Sequence, residues 1–109
     1  MPKVVTAKSF QKKVLLAKKP VIVEFCQSDC EECLSKKIRN EAMSIVFSGR
    51  VLFFVCKICI AVNELKYSSG YGKHELVAFN EGSVIKTIDN ISYTSEIFEF
   101  FQSIALPEN

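Results

Sequence analysis

The sequence has little net charge and no long hydrophobic run. Its net charge of +2 over 109 residues is too small to predict binding to nucleic acid or to a membrane surface. The longest apolar run, Val51–Ile60, is interrupted by Lys57 and is far shorter than the ~20 residues of a membrane-spanning helix. The first residues lack the apolar core of a secretory signal, and no repeat or low-complexity segment divides the chain. We therefore expect one cytoplasmic domain, residues 1–109, with no nucleic-acid or membrane partner.

Two of the five cysteines form the most informative motif, Cys30-Glu31-Glu32-Cys33. In a chain with no predicted signal, cysteines are expected to be reduced and to serve catalysis or metal binding. The motif follows the apolar segment Val21–Cys26, which is typical of a strand buried on both faces, and it leads into a helical pattern. Backbone N–H groups and the dipole at the start of a helix favour an anion. We therefore expect a reactive thiolate at this junction.

Hydrophobic periodicity predicts nine elements in the order βαβαβαββα. The predicted strands are Val4–Val5, Val21–Cys26, Val51–Ile58, Leu76–Phe79 and Val84–Ile88, and the predicted helices are Ser9–Ala17, Glu31–Phe47, Ala61–Tyr67 and Ser95–Ala105. In the longest helix an apolar stripe recurs every three or four residues, with charges opposite: Leu34, Ile38, Ala42 and Ile45. The order predicts an α/β domain with helices on both faces of a mixed sheet.

The motif and its surroundings resemble the thioredoxin family. The resemblance extends from about Val4 to Leu106 and is carried by four segments: Pro20–Phe25, Cys30–Cys33, Val55–Ile58 and Phe79–Gly82. It implies a thioredoxin fold, with the central mixed β-sheet and flanking helices of the βαβαβαββα order. It also implies a protein dithiol–disulfide oxidoreductase that acts in cell redox homeostasis.

The resemblance assigns roles by position. Cys30 would be the attacking nucleophile, and Cys33 would resolve the mixed disulfide. Glu24 matches the family's buried acid, and Lys57 matches the partner of that acid. The carboxylate could accept the proton of Cys33, or it could form a structural ion pair with Lys57, and the sequence leaves both possibilities open.

The sequence departs from the family around the expected substrate surface. His74 stands where the family keeps a cis-proline, and Asp29 stands where it has a tryptophan. We expect His74, Asp29 and Tyr71 to contact substrate. The implied partners are protein disulfides, with a thioredoxin reductase or a low-molecular-weight thiol as electron donor. The only implied redox group is the Cys30–Cys33 disulfide, with no bound cofactor or metal.

A different class of function remains open. Cys56 and Cys59 complete a second CxxC, which is close to zinc-ribbon spacing, although their apolar surroundings favour simple packing. Alternatively, Cys26 and His74 could join the first pair around a metal or an iron–sulfur cluster. The alternative function is therefore a thioredoxin-fold binding or metal-holding module with little or no turnover.

Overall fold

A computed structural model describes residues 3–27, 32–58, 75–90 and 92–106. The strands are β1 (Lys3–Val4), β2 (Val21–Gln27), β3 (Leu52–Ile58), β4 (Glu75–Asn80) and β5 (Ser83–Asp89). The helices are α1 (Ala7–Phe10), which continues as a π-helical segment (Gln11–Leu15), α2 (Glu32–Val46) and α3 (Thr94–Ala105). The predicted helix Ala61–Tyr67 lies outside the described residues. Within the described ranges, no helix is long and apolar enough to cross a membrane.

The five described strands form one mixed sheet in the order β1-β3-β2-β4-β5. β2 lies at its centre, parallel to β3 and antiparallel to β4. Every residue of Val21–Phe25 is buried, because helices cover both faces of the sheet at this point. The prediction of a central strand before the CxxC motif is therefore confirmed, as is the broader prediction of an α/β fold with a mixed sheet.

Two hydrophobic cores lie on opposite faces of the sheet, because alternate strand residues point to opposite sides. One core packs α2 and α3 against the sheet, with Ile22, Val55 and Leu76 contributed by the central strands. The other packs α1 and its π-helical continuation against Val23 and Phe25. The side chain of Glu24 therefore belongs to the same face as the core beneath α2 and α3.

The first helix begins at Ala7, two residues before the predicted start. Thr6 caps it, since its hydroxyl accepts from the backbone N–H of Ser9 at 3.4 Å, while the Ser9 hydroxyl accepts from the Thr6 N–H at 3.0 Å. The π-helical turn closes with a bond from Leu16 N–H to Gln11 O at 2.9 Å. The wider turn was not predicted from the sequence.

Three of the four residues in the apolar stripe predicted for α2 do not face the core, and the side chain of the fourth, Leu34, is not described. Ile38 and Ile45 are 62% and 66% exposed, and Ala42 is also exposed. The buried face carries Asn40, Met43 and Phe47 instead, which recur at helical spacing. The polar residue of this buried face, Asn40, is directed toward Glu24. That part of the sequence prediction is wrong.

The C-terminal half of the chain agrees more closely with its pattern. The buried face of α3 includes the predicted Ile97, Phe101 and Ile104. The hairpin between β4 and β5 is confirmed, although its turn contains two residues rather than four. Glu81 and Gly82 have φ angles of 53° and 82°, the combination required by a type I′ turn.

Candidate functional site

Of the predicted catalytic residues, the structure describes the carboxylate of Glu24 but does not describe the nucleophile Cys30. Glu24 lies in β2, Cys33 lies in the first turn of α2, and Lys57 lies near the end of β3. For Cys33 and Lys57 only the backbone is described. The predicted site residues Asp29, Cys30, Tyr71 and His74 lie outside the described residues.

Backbone elements converge at the carboxyl end of β2. The strand ends at Gln27, and α2 begins only five residues later, at Glu32. β4 begins at Glu75, which is the register partner of Phe25 of β2. The segment that leads into the CxxC motif is therefore beside the point where β4 enters the sheet.

Glu24 is fully buried in the centre of the sheet, with a relative exposure of 0%. Its register partners are Val55 of β3 and Leu76 of β4, both of which are apolar. One carboxylate oxygen, Oε1, accepts a hydrogen bond from Asn40 Nδ2 of α2 at 3.0 Å. Within the described parts of the chain, the other oxygen, Oε2, has no hydrogen-bond partner. The carboxyl group is thus buried, and the described residues supply only part of its hydrogen bonding.

Burial raises the pKa of Glu24 above its ordinary value, because the charged form loses its hydration. The hydrogen bond from Asn40 acts in the opposite direction, as do the positive charges of Lys37 and Arg39. Desolvation is the largest of these effects, and the net shift is upward. Glu24 therefore holds a proton more readily than an exposed glutamate does.

Asn40, Asn90 and Arg39 complete the surroundings of this carboxyl group, and sequence reasoning missed all three. Asn40 Nδ2 also donates to Asn90 Oδ1 at 3.0 Å. Arg39 donates through Nη2 to the same Asn90 oxygen at 2.8 Å and to the Asn90 backbone carbonyl at 3.0 Å. A signal did exist, because a glutamate in an apolar central strand requires a buried donor, and Asn40 lies two helical turns after Cys33.

The expected pairing of Glu24 with Lys57 lies outside what is described, since only the backbone of Lys57 is known. Lys57 is two residues along β3 from Val55, which is the register partner of Glu24. The described polar contacts of the carboxylate come from the helix side, through Asn40. The choice between a proton acceptor and an ion pair with Lys57 therefore stays open.

Cys56 occupies the opposite side of the sheet from Glu24. It is 1% exposed and packs with Val23 and Phe54 in the core beneath α1. This is the packing role favoured for it by the sequence. Considering only the described residues, no group of three or more histidine, cysteine, aspartate or glutamate side chains is placed to hold a metal ion.

Comparison with known proteins does not assign the chain to a family. No protein-family model matches the chain, and no curated protein matches it significantly. The chemistry of the site must therefore be inferred from its own residues and their placement.

Proposed function

We propose that this protein has a thioredoxin fold and exchanges the Cys30–Cys33 dithiol for disulfides in protein substrates. One observation carries the proposal. The central strand that precedes the CxxC motif holds a fully buried glutamate, and its carboxylate accepts a hydrogen bond from α2, the helix that begins at Glu32 within the motif. We also propose a cytoplasmic location, where a reducing environment would keep the dithiol in its reduced form.

The described topology supports the proposed fold. A parallel pair, β2 and β3, is joined through α2, and an antiparallel hairpin of β4 and β5 extends the sheet on the other side of β2. The last helix, α3, then packs on the same face as α2. This arrangement agrees with the order that the resemblance implies over the described residues.

The proposed reaction transfers two electrons from the dithiol to the substrate. The Cys30 thiolate attacks one sulfur of a substrate disulfide, so that a mixed disulfide forms and one substrate thiolate leaves. Cys33 then gives up its proton, and its thiolate attacks the Cys30 sulfur. The Cys30–Cys33 disulfide forms as the second substrate thiolate leaves and takes up a proton. A reductase or a low-molecular-weight thiol returns the two electrons.

Glu24 would act in the second half of this reaction. Because its pKa is raised by burial, the Glu24 carboxylate is a better proton acceptor than an exposed glutamate. Asn40, which donates to its carboxylate, is seven residues after Cys33 on α2, so the two Cα atoms are separated by about 10.5 Å along the helix axis. The carboxyl group that accepts from Asn40 thus lies against α2 about two turns beyond Cys33.

Turnover of a model disulfide protein tests the proposal. The chain, kept reduced with dithiothreitol, should reduce the substrate faster than dithiothreitol alone does. Cys30→Ser should abolish this acceleration, and Cys33→Ser should accumulate a mixed disulfide with the substrate. Cys56→Ala, which removes a thiol from the opposite face of the sheet, should retain turnover. A protein that binds metal and shows no turnover would contradict the proposal and favour the metal-holding alternative.

Glu24→Gln tests the proton-transfer role separately. The variant keeps the shape of the side chain but cannot accept a proton, so resolution of the mixed disulfide at neutral pH should slow. Formation of the mixed disulfide by Cys30 should change much less. If the resolution rate is unchanged, Glu24 has a structural role instead.

A further inference from the structure

The hydrogen bonds around Glu24 fix the orientation of the two neighbouring amides. Arg39 has only donors, so the atoms it contacts must be oxygens. Its Nε donates to Asn40 Oδ1 at 3.1 Å, and its Nη2 donates to Asn90 Oδ1 at 2.8 Å. The Asn40 NH2 group is therefore directed at Glu24 and Asn90, where each of its two hydrogens has an acceptor at 3.0 Å. An amide flip would place its oxygen against both of those oxygens.

The same bonds join three separate parts of the fold. Glu24 belongs to β2, Asn40 and Arg39 to α2, and Asn90 to the connection between β5 and α3. Arg39 reaches the backbone of that connection at the Asn90 carbonyl, 3.0 Å away, and at the Ser92 carbonyl, 3.5 Å away. Glu24, Asn40 and Asn90 are each 0% exposed, so water does not compete for these contacts. The position of α2 is therefore tied to the carboxyl group on the central strand.

The charged groups near Glu24 come mainly from α2. Lys37 and Arg39 both favour its ionised form. β3 and β4 place Val55 and Leu76 opposite it in register, and both are apolar. From the β5–α3 connection the contacting residue is the neutral Asn90, which follows Asp89 of β5. The side chain of Lys57, on β3, is not described.

We propose that Asn40 is a positioning residue for Glu24 and that the Arg39 guanidinium, through its hydrogen bonds to Asn40 and Asn90, fixes the orientation of Asn40. Asn40 stabilises the ionised carboxylate, whereas burial stabilises the neutral acid, and the balance decides how readily Glu24 exchanges a proton. The proposal rests on the dithiol exchange proposed above for its functional meaning. The effect of Asn40 and Arg39 on the Glu24 carboxyl group can be tested without measuring turnover.

The first experiment is a titration of the Glu24 side-chain carboxyl by carbon-13 NMR, with the signal assigned by its loss in Glu24→Gln. In Asn40→Leu the midpoint should move upward by about one pH unit, the size expected for loss of one hydrogen bond to a carboxylate. Arg39→Lys keeps the positive charge but loses the planar fork, so it should move the midpoint in the same direction by a smaller amount. Ser44→Ala, on the same helix and bonded instead to the Glu41 carbonyl, should leave it unchanged.

The second experiment asks whether Asn40 acts through Glu24. Asn40→Leu should shift the acid limb of the pH–rate profile for mixed-disulfide resolution upward by the same amount as the NMR midpoint. In the Glu24→Gln background, adding Asn40→Leu should change the rate no further, because the two substitutions remove one interaction. A purely structural Asn40 would lower stability in both backgrounds and leave the pH profile in place.

The outcomes separate the two proposals. If Asn40→Leu does not fold, Arg39→Lys alone tests the positioning role. Arg39 is only half-buried and lysine keeps its positive charge, so this variant should fold. An unmoved Glu24 midpoint in a folded variant of either residue would overturn the positioning role, whatever the turnover. Absence of turnover in the unmodified chain would overturn the dithiol exchange and leave the NMR result standing.

Discussion

Replacing Glu24 with glutamine should make the free energy of unfolding depend less on pH. The pKa of Glu24 in the folded chain is raised above its ordinary value of 4.5 by burial. Below that value the side chain is protonated in both the folded and the unfolded states. As the pH rises, the unfolded chain releases the proton first, while the folded chain keeps it until the pH passes the raised pKa. Within this window the folded state binds more protons, so stability falls with increasing pH.

The slope of this fall follows from one proton. The carboxyl group is fully buried, so its ionisation differs between the two states by up to a whole proton inside the window. The free energy of unfolding should then decrease by up to about 1.4 kcal/mol per pH unit relative to Glu24→Gln. Above the folded pKa both states are ionised, and the difference between the two proteins should become constant. The width of the sloping region would thus report the size of the shift.

Chemical denaturation at a series of pH values from acid to neutral provides the measurement. The informative quantity is the difference in unfolding free energy between the unmodified chain and Glu24→Gln, since other titrating groups cancel in it. Glu99→Gln is the matched control, because Glu99 is exposed on α3 and its carboxylate is hydrated in both states. A difference for Glu24→Gln that is flat over the whole range would refute the assignment of a buried, proton-retaining carboxyl group.

Three further outcomes are expected. Phe101→Ala removes a fully buried ring from the core beneath α3 and should lower the free energy of unfolding by about 3–5 kcal/mol. Phe98→Ala removes a ring that is 39% exposed and should lower it clearly less, so equal losses would contradict the described core. Ile45→Lys should change the free energy of unfolding by only about 0.5 kcal/mol, while Met43→Lys, on the buried face of the same helix, should lower it by more than ~2 kcal/mol. The reverse order would show that α2 buries the face expected from the sequence. Alkylation of Cys30 should have a pH midpoint above about 7, because the two glutamates of its motif disfavour a neighbouring thiolate, and a lower midpoint would show that the helix dipole outweighs them.

The sequence predicted the sheet better than the helix that faces it. A segment such as Val21–Phe25, which is apolar at every position except Glu24, can be accommodated in few places other than a central strand, so its burial followed directly from its composition. The hairpin was equally clear, because Gly82 supplies a positive φ angle at the turn. These elements are determined by local chemistry, which a single sequence displays.

The orientation of α2 was not local in this sense. Its apolar stripe, which includes Ile38 and Ile45, suggested one face, but Glu24 on β2 requires a hydrogen-bond donor from the helix above it. Asn40 meets that requirement, and turning it inward also brings Met43 to the core. The requirement comes from a residue on another element, so periodicity within α2 could not reveal it. For the same reason the predicted acid was found, while its amide partner was not.

The central position of β2 also bears on where the backbone can move during the thiol exchange that we propose. Its backbone is hydrogen-bonded to β3 on one edge and β4 on the other, and its side chains contribute to both cores. Exposing its amides to solvent requires separation of the sheet, so β2 should exchange its amide hydrogens only through global unfolding. β5, which ends the described sheet and has largely exposed side chains, should exchange far sooner. The strand before the CxxC motif should thus keep its position during the proposed dithiol exchange, and any adjustment between the proposed oxidised and reduced states should occur outside β2.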